Sequence, residues 1–310
     1  YDEAATAIMS RAPASDIILF HWTAAFEHLP LWVLLMRQWS GLVGQSQYAL
    51  RLLPAFAGVL AIPLMWALQI RVAPNLVAWR SLTVLFLASS PVLALYAQEA
   101  RMYTLVVLLA LLSTYLWVRL FERPRAIYAL AYALANWIML SLQYYSVLLI
   151  GTHALVAIYL IAARQPKISP RSFWIASIAS GISAAPLLLW MALSPGFQET
   201  AEVVFREANA HDYPAIAFLI DIWTDLAFGA LRWQPAVSVF GLAIVPIFLL
   251  GVVAVLISSR RDAFGSQPST SGWAGLFLAI VLIPLLLSTV LFRTLAARYI
   301  LFITPFIYAF

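Results

Sequence analysis

Apolar runs of about 20 residues follow one another along this chain with almost no charge inside them, and no other feature limits its fold so tightly. A helix of that length crosses the hydrocarbon of a bilayer while pairing its backbone N–H and C=O groups internally, which open strands and loops cannot do there. Runs at 48–70, 76–97, 102–120, 126–142, 145–163, 173–193, 237–258, 273–292 and from 299 onward therefore read as about nine crossings. The composition agrees, since 64% of the 310 residues are hydrophobic, 10% are charged and the mean hydropathy is +0.92. A soluble domain carries about 25% charge to cover its outside. The predicted class is an all-α, polytopic transmembrane bundle, one domain over 1–310.

Pro54, Pro63, Pro91, Pro186, Pro246, Pro284 and Pro305 fall inside these runs and are expected to mark kinks, because neighbouring helices can satisfy the carbonyls that a proline frees. Trp79, Tyr96, Trp117, Trp223 and Trp233 lie near run ends, as interfacial aromatic belts do. The chain has no cysteine, which excludes a disulfide scaffold and thiolate chemistry and leaves carboxylate and imidazole as metal ligands. It begins at Tyr1 and its last residues continue an apolar run, so it reads as a membrane core cut from a longer protein, with a first span and a C-terminal part outside it.

The sparse charges carry the topology. With alternate loops on alternate faces, one face collects Arg71, Arg80, Arg119, Arg123, Arg125, Arg164, Lys167, Arg171, Arg260 and Arg261 beside two acids, Glu122 and Asp262. The other face holds the remaining eight arginines and eleven acids. The positive-inside rule makes the first face cytoplasmic and the protein a multi-pass component of the cell membrane. The long segments 1–47 and 194–236 then face the extracytoplasmic side. Their mixed polar and apolar stretches, as at 31–42 and 215–233, suit helices lying in the interface. Long loops of this kind are usually functional, so the active side is expected there. The basic balance is a topology signal, and without a basic stripe interleaved with aromatics no nucleic-acid partner is expected.

Nucleotide-cradling glycine loops, HExxH, GxSxG and CxxC are all absent. The sharpest local feature is Gln98-Glu99-Ala100-Arg101-Met102-Tyr103, which places an acid and a guanidinium where a span opens. Ionisable groups at that depth are costly unless paired or functional. On a continuing helix Gln98 and Arg101 would share one face, and Glu99 and Tyr103 another. A structural Glu–Arg pair is the competing reading. Tyr1-Asp2-Glu3 supplies two acids, which in water more often begin a solvated helix than form a catalytic site. His28-Leu29-Pro30-Leu31 reads first as a helix-entry turn, and Arg51 and Arg298 as snorkelling arginines. Gln143-Tyr144-Tyr145 reads as an aromatic anchor at an outer turn, and His153 as a hydrogen-bonded packing histidine. Asp221 and Asp225 read as a solvated helical face.

Taken in order, Tyr1-Asp2-Glu3, His28-Leu29-Pro30-Leu31, Tyr48-Ala49-Leu50-Arg51-Leu52-Leu53-Pro54, and Ser90-Pro91 followed by Tyr96-Ala97-Gln98-Glu99-Ala100-Arg101-Met102-Tyr103 resemble the dolichyl-phosphate-mannose-protein mannosyltransferase-like family of bacteria and archaea. That family, glycosyltransferase family 39-like, belongs to the GT-C membrane glycosyltransferases. The resemblance is firm over 1–120 and weaker to 165. Gln143-Tyr144-Tyr145 falls where the family often has Thr-His-Tyr, and Arg298-Tyr299 resembles its late Arg-Tyr helix start. Two departures are Leu29 in place of the second residue of His-Pro-Pro, and Gln143 in place of a common histidine.

The resemblance implies an inverting enzyme that moves a sugar, mannose or another hexose or pentose, from a polyprenyl-phosphate donor to a lipid, glycan or protein acceptor outside the cytoplasm. It makes Asp2 the base that deprotonates the acceptor hydroxyl, with Glu3 in support and Glu99 as a second acid. Chemistry adds that a guanidinium can stabilise the leaving phosphate, with Arg101 first and Arg298 second. His28, Gln98, Tyr103, Gln143 and Tyr144 complete the expected pocket. A divalent cation, Mg or Mn, could join if Asp2, Glu99 and His28 converge, since hard cations take oxygen ligands. The rival readings are a transporter or flippase, which would more often show paired repeats, and a non-catalytic binder of the lipid carrier.

Overall fold

The computed structural model describes residues 2–24, 29–72, 74, 76–162, 170–199, 277–285 and 301–307, and of Asp2 its backbone alone. The described residues form helices and turns, with four helices long and apolar enough to cross a membrane, or five if one bent pair counts as a span. Three shorter helices precede them: α1 (Asp2–Met9), α2 (Ala14–Thr23) and α3 (Leu31–Val43). The bundle is α4 (Gln47–Val72), α5 (Val77–Ala88), α6 (Pro91–Ala97), α7 (Tyr103–Glu122), α8 (Ala126–Leu142), α9 (Val147–Ala162) and α10 (Pro170–Leu193). These bounds follow the apolar runs closely. A 3₁₀ turn, Tyr144–Ser146, leads into α9 and lengthens it to a span. At 17 residues α8 is apolar but shorter than the four spans. The expected crossing at 237–258 and the loop 194–236 beyond residue 199 lie outside the described residues, as do parts of 273–292 and of the last run.

The run 76–97 is two helices bent by 46°, not one. Pro91 has no N–H to continue the ladder, and Ser90 restarts it by accepting the Leu93 N–H on its Oγ at 3.2 Å. Pro54, Pro63 and Pro186, by contrast, sit inside continuous helices. Helix α7 is the axis of the bundle, packed along α4 on one side and α8 on the other, with α10 against α8. Small residues let α4 approach closely. A Cβ at Gly58 would touch Ala97 Cβ at 3.5 Å, and Thr104 Oγ1 donates to the Pro54 carbonyl at 2.8 Å.

Polar side chains tie the buried helices together. Ser113 Oγ donates to Asn136 Oδ1 at 2.6 Å. His153 lies stacked on Trp117, its Nε2 3.2 Å from Thr114 Oγ1 and its Nδ1 3.2 Å from the Tyr132 hydroxyl. Thr114 spends its proton on the Ala110 carbonyl and Ser180 donates to Tyr132. An imidazole with its proton on Nε2 satisfies every member of this chain. The expectation of a hydrogen-bonded packing histidine therefore holds. Trp117 does not form part of an interfacial belt, because it is 1% exposed beneath that histidine.

Successive helices reverse direction, so the starts of α4, α7 and α9 gather at one end of the bundle with the ends of α6, α8 and α10. At the opposite end Glu122 meets Arg71 at 3.9 Å and Arg119 at 3.4 Å. The first end carries the motifs.

Candidate functional site

The site is built on a carboxylate at the chain's beginning. Glu3 in α1 accepts from Arg51 in the first turns of α4, at 2.7 Å to Nη2 and 3.3 Å to Nε, a side-on fork. Its Oε1 also accepts the backbone N–H of Ala100 at 2.6 Å. Three segments separated by 48 and 97 positions in sequence thus meet on one side chain. The Arg51 hydrogen bond holds the Glu3 carboxyl below its ordinary value of 4.5, opposed by partial burial and helped by the Ala100 N–H. Arg51 is therefore an ion-pair partner, which corrects the snorkelling reading. The physical reason is that the acid pair at the chain's start folds back over the first turns of α4.

Residues 98–102 form a turn between α6 and α7, and helix resumes at Tyr103. The expected sharing of helical faces by Gln98 with Arg101, and by Glu99 with Tyr103, is thereby overturned. The turn frees the Ala100 N–H from helix pairing and presents it to Glu3. Gln98 is exposed and its Nε2 reaches back to the Ala94 carbonyl at 3.0 Å, along α6. Glu99 and Arg101 are half-buried, and the negative charge of Glu99 acts on Arg51. The Arg101 guanidinium lies 5.1 Å from the centre of the Tyr103 ring, which in turn meets Tyr96 edge-on at 4.9 Å. This stack holds Arg101 at the mouth of the bundle.

The α8–α9 connection reaches the same end. Gln143 is 2% exposed, and among the described residues neither its Oε1 nor its Nε2 has a hydrogen-bond partner. Tyr144 packs on Tyr145 at 4.3 Å and on Phe197 at 6.0 Å. Tyr145 is buried, so this turn is part of the core and does not serve as an aromatic anchor. Ser194 Oγ donates to the Trp22 carbonyl at 2.8 Å, and any side chain at Gly196 would collide with the Ala24 carbonyl. The segment after α10 therefore clasps the end of α2, a contact that no sequence motif signalled.

Asp2 opens α1 beside Glu3, but its side chain, His28 and Arg298 lie outside the described residues, as do Asp221 and Asp225. Among the described residues no three His, Asp or Glu side chains cluster as a metal site. The proposed trio of Asp2, Glu99 and His28 depends on positions beyond that description. Leu29, where the resembled family has proline, is buried at the head of α3. No family model matches the chain, and no curated protein matches it significantly. The class established by fold is that of a protein whose described residues are helical and include four to five long apolar helices able to cross a membrane.

Proposed function

We propose that the protein is a GT-C membrane glycosyltransferase that takes a sugar from a polyprenyl phosphate and transfers it, with inversion, to a hydroxyl of a lipid, glycan or protein on the extracytoplasmic side of the cell membrane. The observation that carries this reading is the Glu3 bridge, which draws the acidic pair, the Leu-Arg-Leu-Leu-Pro helix start and the Gln-Glu-Ala-Arg-Met-Tyr turn to one end of an apolar bundle. A lipid-linked phosphate needs such a place, with charge at the membrane surface and hydrocarbon beneath it.

In this mechanism Asp2 accepts the acceptor's hydroxyl proton as the oxygen attacks the anomeric carbon. A positioned base contributes about 10²–10⁴-fold. The bond to the leaving phosphate breaks on the opposite face of the sugar, and Arg101 takes up the charge that develops on it, with Arg298 as its partner. Glu3 is a positioning residue here. Its carboxylate is held ionised by Arg51, so it anchors α1 and the 98–102 turn and orients Asp2 without itself transferring a proton. Glu99 supplies the second negative charge of the pocket. The uncommitted amide of Gln143 offers one donor face and one acceptor, a match for sugar hydroxyls.

The bend between α5 and α6 favours a second reading, because transporters build sites at broken helices. Reconstitution separates the two. A transferase forms a covalent sugar–acceptor product from a polyprenyl-phosphate sugar in detergent, where no gradient exists. A flippase moves the lipid across a vesicle and leaves its sugar linkage intact.

A further inference from the structure

At the end of the bundle opposite the proposed active site, Arg80 sits near the start of α5 and is only 8% exposed. Its guanidinium lies 5.4 Å from the centre of the Trp66 ring on α4, and among the described residues its buried Nε has no hydrogen-bond partner. Among the described residues no carboxylate pairs with it, and Glu122 is already shared by Arg71 and Arg119. The indole lies against the guanidinium, whose Nη groups hydrogen-bond an oxyanion in the guanidinium plane. No side chain caps the N-terminus of α5, whose dipole also favours negative charge. Val77, Trp79 and Leu82, on the same helix, are exposed apolar residues suited to acyl chains.

We infer that Arg80 and Trp66 form a binding site for the phosphate of an anionic phospholipid, in the leaflet opposite the proposed active site. The depth of Arg80, one turn inside the end of an apolar helix, matches a headgroup phosphate at the edge of the hydrocarbon. The site is independent of the glycosyltransferase reading.

The test is native mass spectrometry of the full-length protein, released from mixed micelles containing equal phosphatidylglycerol and phosphatidylcholine. Retention of one phosphatidylglycerol in about tenfold preference is expected. Arg80→Gln should reduce that preference about tenfold. Arg80→Lys, which keeps the charge but loses the fork, should lower it by a smaller factor, and Arg125→Gln should leave it unchanged. An equal loss in Arg125→Gln would show diffuse surface attraction and overturn the site. So would displacement of the lipid by millimolar inorganic phosphate, which would mark a pocket for a soluble anion. If Arg80→Gln does not fold, the wild-type protein still decides, because equal retention of the two lipids contradicts the inference.

Discussion

Glu3 shows how one side chain can set the geometry of a site. Its pair with Arg51 is about one-third exposed, 34% for the carboxylate and 42% for the guanidinium, so its energy is that of a screened ion pair, about 0.5–1 kcal/mol. Glu3→Gln and Arg51→Gln should each lower thermal stability in detergent by about that amount, and a double-mutant cycle should recover most of it as coupling. Turnover should fall further than stability, because the Ala100 N–H and the turn around Arg101 lose their anchor. The pH dependence follows from the sign of the shift. A carboxyl held below its ordinary 4.5 stabilises the fold fully above that value, and the contribution fades as pH falls through the lowered one. Wild type should lose stability on acidification below about pH 4.5, and Glu3→Gln should lose less. The 98–102 segment stood out in the sequence by its acid and guanidinium where a span opens, and Glu3 only through the family resemblance, since two acids in water read first as a solvated helix start. The contacts of Glu3 with Ala100 and Arg51 were not legible, since pairings across 97 and 48 residues leave no local trace and Arg51 matched an ordinary snorkelling residue.

At the scale of elements, hydropathy placed the helices within a few residues, because a span must be long, apolar and internally paired. It missed the break at Ser89-Ser90, where a cap and a proline interrupt a run whose hydropathy is continuous. The helical face-sharing expected of 98–103 fails for another reason, because a hydrogen bond from Ala100 to Glu3 wins over helix continuation there. Helix contacts give sharper expectations. Gly58→Ala should be tolerated, since its Cβ would meet Ala97 at an ordinary 3.5 Å, whereas Gly58→Leu must push α4 from α6 and cost about 1–3 kcal/mol. Thermal unfolding of both variants checks this. Asn136→Ala should cost about 0.6 kcal/mol for the lost interhelical bond, plus the packing of its side chain. His153→Ala should cost more, because it removes two bonds and the Trp117 stack together.

At the scale of the whole molecule, topology and chemistry can each be tested. The chain has no cysteine, so single-cysteine variants report sidedness without background. Gln98→Cys should react with an impermeant maleimide added outside intact cells, and Arg125→Cys only after the membrane is opened. Both residues are exposed and stand at opposite ends of the bundle. The reverse pattern would place the proposed active site in the cytoplasm. The chemical claim rests on Asp2. The decisive measurement is transfer of radiolabelled sugar from a panel of polyprenyl-phosphate donors by the full-length protein in nanodiscs, wild type against Asp2→Asn. Covalent product with at least one donor is expected, with a loss of about 10²–10⁴-fold in Asp2→Asn and near-normal binding of the donor lipid by that variant. Undiminished transfer by Asp2→Asn would remove the base, and an absence of product with every donor and acceptor tried, from protein that binds and flips the lipid, would contradict the transferase itself.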